Sequence, residues 1–192
     1  KNNKVDLETI NDDFFYSEIG NVSKEGEVEP VKLNFDERNK EEENYYKKIE
    51  KGDIIKVEEN DILISKIRPN LKKYVLVDNK NSKYFYTSAF IHIKPKKLNK
   101  ILYYSLRTVF YNNLIAISRQ GKGYPTLKED DFLYLKFDKN IIDKFIKKQD
   151  QIVSQIEPIE KQIKELKLQI TPPQEVINKV FAREFGFDEN LF

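Results

Sequence analysis

Toward the end of the chain Ile142, Phe145, Gln149, Ile152, Ile156, Ile159, Ile163, Leu166 and Ile170 are separated alternately by three and four residues, and eight of these nine positions are apolar. This is a heptad seam. On a helix it lays down one narrow apolar stripe, while Lys, Glu, Gln and Asp fill most of the outward positions. A stripe of that kind needs a partner helix. Pro158 lies inside it and predicts a kink or a division, because proline has no N–H to donate and its ring crowds the preceding turn. Thr171-Pro172-Pro173-Gln174 then reads as the start of a second helix, with Thr171 as N-cap, prolines where early N–H groups need no partner, and Gln174 at the reciprocal capping position. Val176, Ile177, Val180, Phe181 and Phe185 give that helix an apolar face, and Gly186 is a natural stop. Residues 141–192 therefore read as a helical hairpin whose short second arm leaves Ile152, Ile156, Ile159, Ile163, Leu166 and Ile170 as a surface for self-association or for a partner helix.

Residues 1–140 follow a different period. Ile62-Leu63-Ile64 is an apolar run short enough to be a buried strand, closed by Pro69. Tyr74 to Val77 before Asp78-Asn79 reads as another strand, and residues 84–94 as a third, ended by Pro95. Leu102, Leu106, Val109 and Phe110 fall at helical spacing and predict one amphipathic helix over residues 99–111, with Arg107 near its opposite side. The opening third has turn chemistry at residues 21–26 and a dense mix of charges at residues 36–51, which predicts short strands and an exposed loop. The predicted fold is α+β: a strand-rich globular domain over residues 1–140 with a C-terminal helical hairpin or coiled coil. A length of 192 residues with 39% hydrophobic content allows one sizeable core and a smaller helical attachment.

Charge is sorted along the chain. Residues 62–128 hold fourteen Lys and Arg against one acidic residue, Asp78, although the formal net charge of the whole is only +2. Tyr74, Tyr84, Phe85, Tyr86, Phe90, Tyr103, Tyr104, Phe110, Tyr111 and Tyr124 are interleaved with those basic residues. Such a composition suits a polyanion with flat apolar faces, and nucleic acid is the first candidate partner. The plainer alternative is a Lys-rich solvated surface over an aromatic core.

Several function classes lose their chemistry. The sequence has no Cys, which removes disulfide frameworks, thiolate zinc sites and Cys nucleophiles and fits a reducing cytoplasm. His92 is the single histidine, and the alternation around it reads as one face of a strand, so a structural role is expected. Adjacent carboxylates at Glu41-Glu42-Glu43 and Glu129-Asp130-Asp131 are more simply solvated surface than a magnesium site. Gly121-Lys122-Gly123 lacks the other residues of a phosphate-cradling loop. The chain is thus expected to be non-catalytic, with no cofactor and no metal. No apolar run approaches the roughly 20 residues that span a bilayer, and no membrane partner is expected.

Two blocks carry a family resemblance. One is Gly52-Asp53-Ile54-Ile55 with Asp61-Ile62-Leu63-Ile64-Ser65-Lys66-Ile67-Arg68-Pro69-Asn70-Leu71. The other is Ser118-Arg119-Gln120-Gly121-Lys122-Gly123-Tyr124-Pro125-Thr126-Leu127, with Asp130-Asp131-Phe132-Leu133 and Leu135-Lys136-Phe137 after it. Followed by the heptad helix, these resemble the target recognition domain of Type I restriction-modification specificity subunits and of single-chain methyltransferase fusions. The likeness runs in order of elements from Phe15 to Ile170. It implies a double-β-helix-like globular part, a spacer helix, and a non-enzymatic role: reading a short DNA sequence for an adenine methyltransferase subunit or domain, with which a nuclease can be associated. An Asn/Asp-Pro-Pro-aromatic methyltransferase motif is not matched by Thr171-Pro172-Pro173-Gln174. The Phe181 to Phe187 tail looks like the ends of enzymes that carry both functions in one chain. With one recognition domain where the family subunit has two, and no Met even at position 1, the sequence is expected to be a half-subunit or a piece of something longer.

The same loops have physical content of their own. Lys66, Arg68, Asn70, Lys72 and Lys73 flank a proline-braced turn, and Arg119, Gln120, Lys122 and Tyr124 a glycine-spaced one. Arg68, Asn70, Arg119 and Gln120 are candidates for base edges, Lys66, Lys72, Lys73 and Lys122 for phosphates, and Tyr86 and Tyr124 for stacking or packing. Two rival readings are a coiled-coil scaffold whose basic face binds an acidic protein, and a small nuclease using scattered carboxylates.

Overall fold

The computed structural model describes residues 14–120, 123–135 and 138–186. The chain divides into two compact units between Lys147 and Lys148. The first is built on short strands. Strand β1 (Phe14–Ser17) pairs antiparallel with β2 (Val31–Leu33) and parallel with β6 (Phe85–Tyr86), which also pairs with β3 (Ile55–Lys56), in the order β2-β1-β6-β3. A second sheet, antiparallel throughout, has β4 (Ile62–Ser65) between β5 (Tyr74–Leu76) and β7 (Phe90–Ile93).

Every residue of β4 is buried, as its apolar run predicts. Because successive side chains of a strand point to opposite faces, Ile62 and Ile64 pack with Tyr74, Ile91, Leu106 and Phe110, while Leu63 packs with Val75, Val57 and Phe90. This sheet therefore has core on both sides. The first cluster also receives Ile141, Ile142 and Phe145 from helix α4 (Lys139–Gln169), with the Phe145 ring edge-on to Phe110 at 5.9 Å. The head of the heptad seam belongs to the globular core. His92, on β7, places Nε2 2.6 Å from the Asp61 carboxylate, whose same oxygen accepts the Glu58 N–H.

Four local expectations are corrected. The charged stretch at residues 36–51 contains helix α1 (Glu43–Glu50), not only an exposed loop. Tyr46 and Ile49, one turn apart, bury against Phe14, Tyr16 and Leu33, and the Tyr46 hydroxyl donates to the Asn34 carbonyl at 2.8 Å. Residues 84–94 are not one strand: β6 and β7 lie in different sheets, separated by a turn whose Thr87 and Ser88 hydroxyls both bond the Asp53 carboxylate. The helix expected over residues 99–111 is broken into α2 (Asn99–Arg107) and α3 (Tyr111–Ala116), because the Ser105 carbonyl accepts both the Thr108 and the Phe110 N–H. Helix α5 (Pro173–Phe185) takes Pro172, not Thr171, as its N-cap.

In the second unit, α4 runs on through Pro158 without division. Gly186 ends α5 with φ +69°, its N–H bonded to the Ala182 carbonyl, as a left-handed stop requires. Ile152 and Ile156 are half-buried, whereas Ile159, Ile163, Leu166 and Ile170 are exposed, as are Val176, Ile177, Val180, Phe181 and Phe185 of α5. Among the described residues no helix is long and apolar enough to cross a membrane.

Candidate nucleic-acid interface

The two loops singled out in the sequence are brought together by backbone hydrogen bonds. Ile67 forms an antiparallel bridge with Thr126, the Arg68 N–H donates to the Pro125 carbonyl at 3.0 Å, and the Leu127 N–H donates to the Lys66 carbonyl at 2.8 Å. Thr126 belongs to β9 (Pro125–Thr126), which pairs with β8 (Arg119–Gln120). Loop, bridge and hairpin form one continuous platform, with Arg68, Asn70, Arg119 and Tyr124 exposed on it.

The 68–72 loop is held in a conformation that ordinary residues avoid. Arg68 and Lys72 have φ of +50° and +55°, on either side of a 3₁₀ turn over Pro69–Leu71. Left-handed backbone at a non-glycine residue costs about 1–2 kcal/mol and persists only where the surroundings over-determine it. Here Pro69 is buried, the Tyr74 hydroxyl donates to its carbonyl at 3.1 Å, and the Tyr111 hydroxyl donates to the Asn70 carbonyl at 3.0 Å. Arg107 completes the clamp. Its guanidinium donates to the Lys72 carbonyl at 3.2 Å and to the Lys24 carbonyl, and lies 5.2 Å from the Tyr103 ring centroid and 5.9 Å from that of Tyr74.

Within that frame the predicted residues separate by what already engages them. The Arg68 guanidinium stacks over Tyr124 at 5.0 Å and makes no hydrogen bond among the described residues, which leaves its five N–H donors without a partner there. Lys72 lies over the Tyr111 ring at 4.2 Å. Lys66 is drawn between the Ser88 carbonyl at 2.8 Å and Glu129 at 3.0 Å, and Lys73 donates to the Ile19 carbonyl at 3.0 Å. Arg119 is bound to Asp131 through Nε at 3.1 Å and a terminal nitrogen at 2.7 Å. The Asp131 carboxyl is held below the usual carboxylate range, first by the Lys128 N–H and then by Arg119. Gln120 stands opposite Pro125 in the β8–β9 ladder, and Gly121 and Lys122 lie outside the described residues.

Of the two roles expected for Tyr86, stacking on DNA or packing, the structure shows packing. Tyr86 is fully buried beside Leu63, Val75 and Phe90, its ring edge-on to Phe90, and burial pushes its hydroxyl well above the ordinary tyrosine range. It is core and cannot stack on a base. Sequence reasoning also missed Asp53, Arg107 and Tyr111 as parts of the site. Only Arg107, a cation near the opposite side of an apolar helical stripe, carried a readable signal. The acidic runs gather no metal ligands among the described residues, and Asp131 is spent on Arg119 and the Lys128 N–H.

The fold has counterparts among solved structures. One is a chain from a type I restriction-modification system solved for its complex assembly and conformational transition. It is 16% identical, with a TM-score of 0.56 over 90% of this chain and 42% of that one. Another, the HsdS subunit from Thermoanaerobacter tengcongensis, is 15% identical, with a TM-score of 0.53 over 90% of this chain and 40% of that one. The chain shares its fold with part of each of these two solved chains. The chain spans about four tenths of the length of these two solved chains. No family model matches the sequence, and no curated protein does.

Proposed function

We propose that the globular unit reads a short double-stranded DNA sequence and that the exposed helical face delivers an adenine methyltransferase subunit or domain to that target half-site. The observation that carries this reading is the Ile67–Thr126 bridge, which makes one exposed platform of two loops that carry Arg68 and Tyr124. Two features support it: the fold shared with part of the HsdS subunit and the cationic run from residue 62 to residue 128. In this reading the protein does no chemistry. Its work is positional: cations neutralise phosphates and set the register, and the donors on the rigid loop select base edges. A sequence without Cys fits a reducing cytoplasm, where such a reader would operate.

Selection of bound duplexes from a random pool, followed by a salt titration on the selected site, tests the reading. Neutralising about four to eight phosphates gives a log–log slope of roughly −4 to −7. Lys72→Glu with Lys122→Glu is expected to flatten it. A pool that returns no motif, or tight binding to an acidic protein with none to DNA, favours the scaffold reading instead.

A further inference from the structure

A cleft of about 500 Å³ opens beside the joined loops in the globular unit. Arg68, Leu71 and Tyr124 line it from the platform, and Glu18, Asp53 and Lys73 are among its other lining residues. Most of its charges are already satisfied. Lys48 pairs with Glu18, and Lys73 is held by the Ile19 carbonyl. Two groups are not. Among the described residues nothing takes the guanidinium donors of Arg68. Asp53 keeps acceptor capacity on one oxygen: its Oδ1 accepts the Ser88 N–H at 2.6 Å and the Ser88 hydroxyl, while Oδ2 has only the Thr87 hydroxyl at 3.1 Å. That hydroxyl has one hydrogen, and it also lies 3.0 Å from Oδ1. At best, Oδ2 has half a partner.

We propose, resting on the DNA-reading function above, that this cleft reads one C·G base pair from both strands, with Arg68 on the guanine and Asp53 on the cytosine. The chemistry selects the ligand. The Asp53 carboxylate has only acceptors to offer, so what meets Oδ2 must bring a hydrogen, which a base edge can give and a phosphate diester cannot. In the major groove cytosine presents its N4 amine as a donor alone, whereas adenine places the N7 acceptor next to its N6 amine, lone pair against carboxylate. The paired guanine offers O6 and N7 as acceptors, which suits the guanidinium fork of Arg68. Tyr124 beneath that guanidinium and the three donors on the Asp53 carboxylate keep both readers oriented before DNA arrives. Asp53 is a specificity-determining residue in this account, and its bonds to the 87–88 turn are what aim Oδ2.

The test selects duplexes with the wild-type chain, Arg68→Ala and Asp53→Asn. Wild type is expected to require one C·G pair, and both variants to lose about tenfold or more of the preference at that same pair. Asp53→Asn retains an oxygen for the Ser88 N–H and turns an amide donor toward the cytosine amine, so the melting temperature should hold while discrimination falls. A second measurement needs no variant. Replacing that cytosine by N4-methylcytosine removes the major-groove N–H but leaves Watson–Crick pairing, and it should weaken wild-type binding by a similar factor. The inference is overturned if Asp53→Asn lowers stability with the wild-type motif intact, if it weakens all duplexes equally, if it relaxes a different pair from Arg68→Ala, or if N4-methylation has no effect. A wild-type selection that returns no motif instead sinks the DNA-reading function itself.

Discussion

The Arg68 guanidinium lies over the Tyr124 ring, 5.0 Å from its centroid, although the two residues sit in separate loops. An exposed cation–π contact contributes about 0.5–1 kcal/mol, too little to decide whether the chain folds. It is enough to hold a long side chain in one direction. Tyr124→Ala is therefore expected to leave the melting temperature nearly unchanged and to erode preference at the base that Arg68 reads, while Tyr124→Phe retains both. Binding isotherms on the selected duplex and a scrambled one, with thermal melts of the same proteins, check this. A lower melting temperature with intact preference would make Tyr124 a packing residue.

Arg107 positions the loop without facing the platform's ligand. Its bonds to the carbonyls of Lys72 and Lys24 join the loop to the turn at residues 23–26. Removing a charged donor from such carbonyls costs about 1.5–3 kcal/mol. Arg107→Ala should cost stability in that range and also relax discrimination, because Lys72 then loses what holds it left-handed. Arg107→Lys retains charge but cannot fork to both carbonyls, so it should restore less than half of the discrimination. Unchanged selectivity in a folded Arg107→Ala protein would separate the clamp from recognition.

Much of this fold was legible because some signals are local. Ile62 to Ile64 announced a buried strand, Gly186 a helix end, and the three-four spacing a long helix. What was not legible depends on contacts between distant residues. The break between β6 and β7 is set by Asp53 receiving the Thr87 and Ser88 hydroxyls, which no window around residue 87 contains. Tyr86 resembled a surface aromatic because it sits in a basic run, and only strand pairing with Ile55 and Ser17 shows that it turns inward. Arg68 and Lys72 could be named from composition, but their left-handed backbone follows from Tyr74, Arg107 and Tyr111 elsewhere in the chain.

Asp131 makes stability depend on pH. Its folded carboxyl is held low by the Lys128 N–H and Arg119, so the unfolded chain takes up its proton first as the solution is acidified. The stabilisation is present above the unfolded carboxylate range and is lost as pH falls through the lower folded value. Asp131→Asn should thus be less stable than wild type at neutral pH, with the gap closing in acid. Melts from neutral to acidic pH check the sign, and a gap that does not change with pH would mean that ionisation of Asp131 contributes nothing.

Two glycines separate a structural role from a loop role. A Cβ on Gly26, at φ +91°, would stand 2.5 Å from the Tyr103 hydroxyl and 2.6 Å from the Tyr74 carbonyl. Gly26→Ala should cost stability by overpacking, about 1–3 kcal/mol, with a further 1–2 for the left-handed backbone, roughly. Gly123, at φ +99°, has open space around the same position. Gly123→Ala should cost only the backbone term and, if the hairpin tip meets DNA, should weaken specific binding more than it lowers the melting temperature. Chemical denaturation of both variants beside binding assays distinguishes the two.

The exposed seam gives the last prediction. Ile159 and Ile163 are 55% and 46% exposed, and α5 adds Phe181 and Phe185, stacked at 5.5 Å, to the apolar surface of the second unit. Isoleucine rows at heptad spacing are unfavourable in water and favour a partner helix, in a second copy or in a methyltransferase. Ile159→Asp with Ile163→Asp removes the stripe at its centre and adds charge that no apolar partner can accept. The double variant is expected to lose self-association or methyltransferase docking, read by sedimentation, while thermal melting of the globular unit, whose core takes Ile141, Ile142 and Phe145 from the start of this helix, stays where it was. If the globular unit melts earlier by many degrees, residues 148–169 are core rather than interface. If assembly survives both aspartates, the partner is held elsewhere, and the seam serves only to keep α4 helical.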